Sequence, residues 1–304
     1  MLRGVKVCEM GKGQIQLQFN WIFVIIAGAI ILSFFAGFAI KYKGLQEEKG
    51  KIEVLNSLND AFTSLQSSYF PTKVEIDLPS NLMIGCNEGV VSFNVGGKSY
   101  ATDNLIFSSG EMKGKVVIWY MPYKMPFKIA NFYYVASKTQ EIYIVPEAGT
   151  EEFANELKDE LGKWFDNVFV GSSPGGSDGG RVVYVINSCR GSGRQIDGVF
   201  IVPGSNWHEG EICVGSERHK YLGLAEVYGA IFSEDYGCLT EKIDELRGKV
   251  VETYIKKISV IQGGCSYSGF LVNLTDFGNE PSYGKALALE RINKEIGGRC
   301  IPVF

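Results

Sequence analysis

The chain has 304 residues, of which 45% are hydrophobic and 21% are charged, and its formal net charge is −4. This composition is typical of a globular protein and excludes an intrinsically disordered chain. The Lys and Arg residues are scattered, so the sequence lacks the basic patch of a nucleic-acid-binding protein. We therefore expect no DNA or RNA partner.

An uncharged apolar run from Trp21 to Ile40 dominates the N-terminal part of the chain. A helix of this length spans roughly 30 Å, which is the thickness of a bilayer hydrocarbon core. The run is longer than the apolar region of a secretory signal peptide, and Lys41-Tyr42-Lys43 follows it in place of a small-residue cleavage site. Residues 14–42 are therefore predicted to form a single transmembrane helix with membrane lipid as its partner.

The residues just before the run form a processing pattern. Lys12-Gly13-Gln14 is followed by a few polar positions and then by the uninterrupted apolar segment. This arrangement resembles the class III signal peptide of archaeal type IV pilin-like proteins. The resemblance implies that residues 1–13 are a basic leader and that a prepilin peptidase cuts between Gly13 and Gln14. It also implies that the apolar helix anchors the protein and, in filaments, forms the packed core.

Two positions differ from the pattern of that family. Gln16 stands where Ser is usual, and Gln18 stands where an acidic residue is usual. Because the acidic residue is associated with subunit assembly in the family, its replacement favours an anchor over a filament core. Like subunits or other membrane proteins remain candidate partners of the helix.

Residues 43–70 are predicted to continue the membrane helix as an amphipathic stalk. Apolar residues recur mostly at spacings of three, four and seven, which is typical of one helical face. Gly44 and Gly50 each disfavour helix by about 1 kcal/mol relative to Ala, so we expect a kink or break near the membrane surface. The apolar face consists of Leu45, Ile52, Leu55, Leu58, Phe62 and Leu65.

Six cysteines follow the apolar run, and none of them forms a CxxC pair. An even set of this kind favours up to three disulfides in an oxidising compartment, with buried free thiols as the alternative. Six cysteines allow 15 pairings, which the sequence does not rank. The positive-inside rule is nearly silent, but the cysteines and the glycosylation candidate Asn273, in Asn273-Leu274-Thr275, favour an extracellular C-terminal domain. The cysteines are Cys86, Cys189, Cys213, Cys238, Cys265 and Cys300.

The remainder of the chain is predicted to be α+β. Residues 71–146 contain short runs rich in Val, Ile, Phe and Tyr, with a hairpin turn at Gly96-Gly97, and are expected to form an antiparallel β domain. Residues 147–304 alternate strand and helix patterns and are expected to form a mixed α/β domain. Its helices are predicted at residues 151–164, 220–232, 239–260 and 283–296.

Two segments offer alternative interpretations. The aromatic segment Trp119–Phe127 contains two prolines, which disfavour a central strand, so it is either a loop that fills the core or an exposed binding surface. The glycine-rich stretch Gly171–Gly180 lacks the Gly-Lys-Ser/Thr ending of a phosphate-binding loop and precedes a strand pattern. We predict a flexible hairpin loop there.

The two histidines are the weak candidates for a metal site. His208 and His219 are eleven residues apart, and Glu209 and Glu211 lie nearby. Imidazole and carboxylate groups can ligate zinc, but the HExxH spacing is missing, so polar surface residues are the alternative. No catalytic residue and no cofactor is predicted.

These patterns favour a membrane-anchored, extracellular surface protein, pilin-like, that acts in surface structure, adhesion or assembly. The alternative is a membrane-tethered ectodomain that binds a solute or acts as an enzyme. An enzyme is the less favoured interpretation, because no catalytic motif is present.

Overall fold

The computed structural model describes residues 13–108, 110–171, 180–189, 198–261, 263, 265–298 and 300–304. The chain is mixed α+β and divides into two compact units, Met1–Glu53 and Val54–Phe304. Residues 1–12, which form most of the predicted leader, lie outside the described residues.

The N-terminal helix, α1, extends over Gly13–Gln66. Its apolar side chains in the first unit are exposed, from Trp21 at 70% to Ile40 at 75%. The helix is continuous through Gly44 and Gly50, where a kink or break was expected. A break is therefore absent, because helical residues on both sides outweigh the modest propensity cost of two glycines.

The last turns of α1 belong to the second unit and are packed in its core. Leu58 and Phe62 are buried, and the Phe62 ring lies 4.9 Å from the Tyr133 ring, edge to face. Leu45 and Ile52, which were predicted on the same apolar face, are more than half exposed. The stripe is thus a core-facing surface only from Val54 onwards.

The first sheet is formed by strands from the middle of the chain. Within the described residues it has six strands in the order β3-β2-β1-β5-β6-β4. All neighbouring strands are antiparallel except β4 and β6, which are parallel. The predicted turn at Gly96-Gly97 is confirmed, since both glycines have positive φ and join β2 to β3. The strands are β1 (Thr72–Asn87), β2 (Val90–Val95), β3 (Lys98–Thr102), β4 (Leu105–Ser108), β5 (Glu111–Lys124) and β6 (Lys128–Ser137).

The aromatic segment Trp119–Phe127 lies largely in β5. Trp119, Tyr120 and Tyr123 are buried in the core, so the expectation of a core-filling segment is confirmed and the exposed surface is wrong. The expectation that proline keeps this segment out of a strand is also wrong. Strand β1 begins opposite Tyr120, so Pro122 pairs only with β6 and needs hydrogen bonds on one side.

A second sheet, also of six strands within the described residues, has the order β12-β11-β10-β9-β7-β8. Strands β8, β7, β9 and β10 are parallel, and β11 and β12 form an antiparallel extension. Residues 172–179 of the glycine-rich stretch lie outside the described residues. The strands on either side both pair with β7, so their connection is not a hairpin. The strands are β7 (Ile142–Pro146), β8 (Val168–Val170), β9 (Arg181–Val185), β10 (Val199–Pro203), β11 (Glu209–Val214) and β12 (Glu217–Leu222).

Five further helices complete the described part of the second unit. The predicted helix over residues 220–232 begins only after β12, because residues 220–222 pair with β11. Helix α5 was not predicted; its sequence has little charge and no clear N-cap signal. The helices are α2 (Glu151–Gly162), α3 (Leu224–Phe232), α4 (Tyr236–Ile261), α5 (Ser268–Asn279) and α6 (Tyr283–Gly297).

Disulfides link distant parts of this unit. The described residues contain three, Cys86–Cys238, Cys189–Cys213 and Cys265–Cys300, with Cα–Cα separations of 6.0, 6.4 and 6.1 Å. The first joins β1 to the start of α4 across 152 residues. Disulfides of this number are typical of proteins from oxidising compartments.

Candidate functional site

The first candidate region is the apolar segment of α1. Among the described residues, α1 is the one helix that is both long enough and apolar enough to cross a membrane. Its most apolar stretch has a mean hydropathy of 2.6, and none of that stretch is buried. The helix begins at Gly13, so the predicted cleavage site between Gly13 and Gln14 lies at its first peptide bond. Lys12 lies outside the described residues.

The second candidate region is a cleft of about 830 Å³ in the second unit. Its walls are the β11–β12 hairpin, the first half of α4, and the turn between α5 and α6. A volume of this size lies in the range of sites that bind small molecules or short peptide segments.

A buried polar network forms one end of the cleft. The Arg247 Nη2 donates to Glu226 Oε1 at 2.9 Å, and these side chains are 7% and 3% exposed. The Tyr123 hydroxyl lies 2.5 Å from the same carboxylate oxygen and 2.9 Å from the Leu222 carbonyl oxygen, so its single proton serves one of two acceptors. The backbone N–H of Leu222 donates to Glu226 Oε2 at 3.2 Å.

Burial controls the protonation of this network. It raises the pKa of the Glu226 carboxyl to about 7, although the Arg247 charge and the Tyr123 hydrogen bond act to lower it. Burial also raises the pKa of the Tyr123 hydroxyl well above its usual value. For Arg247, burial acts to lower the pKa, but Tyr123 and Glu226 outweigh it and the pKa is raised. Arg247 therefore stays charged, whereas Glu226 exchanges its proton near neutral pH.

The rim of the cleft carries both signs of charge. Lys285 contacts Asp276 and Glu280, each at 3.2 Å, and Glu209 Oε2 accepts from the Tyr283 N–H at 2.9 Å. Four other rim side chains make no ion pair or side-chain hydrogen bond within the described part of the chain. They are the carboxylates of Glu211 and Glu241 and the cations of Arg218 and Lys220.

The two histidines occupy separate environments. The His208 ring stacks on Tyr283, with ring centroids 4.5 Å apart. The His219 ring contacts Glu217 through Nε2 at 3.2 Å and Thr240 through Nδ1 at 3.3 Å, and it lines the cleft. No group of three or more His, Cys, Asp or Glu residues with the geometry for a metal ion occurs among the described residues.

The glycosylation candidate Asn273 lies inside α5. Its side-chain Nδ2 donates to the Gly269 carbonyl one turn earlier, at 2.7 Å, and Leu274 beside it is fully buried. Glycosylation there stays a prediction.

Sequence reasoning missed the residues at the base of the cleft. Glu226 had one detectable signal, since it is the only charged residue in the apolar stretch Leu224–Phe232. Arg247 had none, because it is one of many charged residues on α4. Tyr123 was noticed only as part of an aromatic segment.

No protein-family model, no curated protein and no solved structure matches this chain.

Proposed function

We propose that this protein is a single-pass membrane protein whose second unit lies outside the cell, where it acts in surface structure, adhesion or assembly. In this proposal α1 is a pilin-like anchor, and a peptidase removes residues 1–13 before Gln14. The protein requires no cofactor for this role.

One observation carries the proposal, which is the exposure of the apolar segment Trp21–Ile40 around the whole helix. Soluble proteins rarely expose contiguous apolar surface of this extent. A helix with all of its backbone hydrogen bonds made internally is one of the few structures that lipid accepts. The three disulfides support an oxidising compartment for the second unit.

The anchor is tested by membrane extraction with alkaline carbonate. We expect the full chain to stay in the membrane pellet and a variant that lacks residues 21–40 to move to the supernatant. Release of the full chain, or retention of the deletion variant, would contradict an anchor formed by α1.

The processing step is tested by determining the mature N-terminus with mass spectrometry in cells that contain a prepilin peptidase. We expect Gln14 as the first residue, and we expect Gly13→Val to keep the leader. Gly28→Ala is the matched control, since no atom lies within 4 Å of the added Cβ and cleavage should continue. An intact Met1 in mature wild-type protein would exclude processing and leave the anchor unaffected.

A further inference from the structure

Strand β12 forms one edge of the second sheet, and its hydrogen-bond pattern shows which of its backbone groups are free. The Gly204 N–H donates to the Glu209 carbonyl at 2.9 Å, and 204 and 209 continue the register of β10 with β11. Backbone groups alternate in direction along a strand. Residues 209, 211 and 213 therefore bond towards β10, and residues 210, 212 and 214 bond towards β12.

The backbone groups of β12 alternate in direction in the same way. The Gly223 N–H donates to the His208 carbonyl at 2.6 Å, so 223, 221, 219 and 217 face β11. The backbone groups of Arg218, Lys220 and Leu222 face outwards. Leu222 agrees with this phase, because both of its groups contact side chains outside the sheet.

Side chains complete the sheet edge at Leu222 only. The Glu226 carboxylate accepts from the Leu222 N–H, and the Tyr123 hydroxyl lies at hydrogen-bond distance from the Leu222 carbonyl oxygen, so the two occupy the place of a neighbouring strand. Along the same edge, the outward N–H and C=O groups of Arg218 and Lys220 have no partner among the described residues. Both residues line the cleft. The cleft thus lies along an unpaired strand edge.

The charges on the edge disfavour pairing with β12 of a second copy of the chain. Two copies of β12 that pair antiparallel through their outward groups place Arg218 opposite Lys220 of the other copy, twice. Like charges directly opposite one another destabilise a strand pair. Natural edge strands use such charges against self-association.

The same charges favour an acidic strand. A residue paired directly with Arg218 or Lys220 has its side chain on the same face of the sheet. Neither cation has an ion-pair partner within 4 Å among the described residues, although Glu211 on β11 is directly opposite Lys220, so Arg218 is the stronger of the two selecting charges. Acidic residues two positions apart on an incoming strand would therefore face both cations. From Glu217 to Tyr221 the edge is about 13 Å long and stops short of the completed position at Leu222, which suits an extended segment of about five residues.

We propose that this cleft binds an extended peptide segment of another polypeptide by strand addition to β12, with acidic residues at alternating positions opposite Arg218 and Lys220. Backbone hydrogen bonds to residues 218 and 220 hold the segment, and the charges select it. This role is independent of the proposed anchor and its processing.

The test measures binding of the fluorescein-labelled peptide Thr-Glu-Val-Glu-Thr-amide to the full chain in detergent micelles, by fluorescence anisotropy. We expect saturable binding below about 1 mM, together with slower hydrogen–deuterium exchange in the fragment that covers residues 217–222. The same peptide with the backbone nitrogens of both Glu residues methylated should bind at least about tenfold more weakly, because it lacks the two N–H donors that face β12.

Charge reversal provides the protein-side test. The double variant Arg218→Glu with Lys220→Glu should bind the acidic peptide about tenfold more weakly than the wild type does. It should bind the peptide in which Lys replaces both Glu residues more tightly than the wild type does. Both side chains are exposed, but Lys220→Glu places a carboxylate opposite Glu211 on β11, so we expect a small fall in the thermal unfolding temperature and an unchanged circular dichroism spectrum at the binding temperature. The matched control is Arg291→Glu with Lys294→Glu on α6, which changes the net charge equally on side chains that are 75% exposed and do not line the cleft.

Three results would overturn the proposal. They are no saturable binding of the acidic peptide, equal affinity for the methylated peptide, or an equal loss of affinity in the α6 control. The second result would indicate contacts through side chains only, and the third would indicate attraction by net charge alone.

Discussion

Each of the two units departs from the usual rule that apolar side chains are buried and charged side chains are exposed. In the first unit, α1 exposes large apolar residues such as Phe34 and Phe35, which are 71% and 62% exposed. In the second unit, Glu226 and Arg247 are charged residues buried in the interior. Soluble proteins rarely show either feature without a compensating environment.

The source of compensation differs between the two regions. The buried pair is largely satisfied within the chain, because Tyr123, Leu222 and Asp244 supply hydrogen bonds or charge to it. The Nε of Arg247 is the exception, since it has no hydrogen-bond partner among the described residues. No described side chain covers the apolar run of α1, and the proposed membrane would supply the apolar surroundings that it lacks. We infer that the first region depends on its environment, whereas the second depends on local geometry.

The largest expected effect comes from breaking the buried pair. Arg247→Met removes the cation that lowers the pKa of Glu226, so at pH 8 the buried carboxyl either stays ionised without a partner or takes up a proton, and we expect the free energy of unfolding to fall by about 3–5 kcal/mol. The double variant Glu226→Gln with Arg247→Met should recover part of this loss. Chemical denaturation of the full chain in micelles, followed by near-ultraviolet circular dichroism, measures both.

An exposed lysine on the same helix provides the control for that experiment. Lys249→Met removes a surface ion pair with Glu245 and should change stability by no more than about 1 kcal/mol. If Arg247→Met were equally mild, the pair would be solvated, and the contrast between the two units would fail.

A second experiment compares one residue type in the two parts of α1. Leu58 is 1% exposed and Leu32 is 72% exposed. Leu58→Ala removes packed side-chain atoms from the core and should lower the free energy of unfolding of the second unit by about 2–5 kcal/mol. Leu32→Ala should leave this unfolding transition unchanged in the same micelles. Equal losses would show that residue 32 contributes to the fold of the second unit.

Local patterns predicted much of the fold. The turn at Gly96-Gly97 and the helix that buries Phe153, Leu157 and Leu161 follow from glycine conformation and from apolar spacing. The position of Pro122 in β5 did not follow, because it depends on where the neighbouring strand β1 begins. Such a contact between distant segments is invisible in a local pattern.

The candidate sites were predictable to different degrees. The apolar run of α1 is contiguous, so length and composition alone identify it. The cleft combines β12, α4 and the turn after α5, and its base joins Tyr123 to Arg247 across 124 residues. The disulfide pairing likewise depends on long-range topology, as Cys86–Cys238 spans 152 residues. Proximity of this kind arises only when the chain folds.

The smallest expected effect concerns the pH dependence of stability. Burial raises the pKa of Glu226 from 4.5 to about 7, so the native state holds a proton that the unfolded state has lost between these values. The stabilising contribution of Glu226 is therefore complete below pH 4.5 and is lost as the pH rises through 7, with a total of about 3 kcal/mol.

Glu226→Gln isolates this contribution, because the amide does not titrate and the other groups that titrate are common to both proteins. We expect the unfolding free energy of the wild type, minus that of the variant, to fall as the pH rises from 5 to 8. Denaturant titrations at intervals of half a pH unit measure the difference. A difference that stays constant over this range would show that Glu226 keeps one protonation state. Glu226 would then add no pH dependence to the stability of the second unit, just as the uncharged apolar run of α1 adds none.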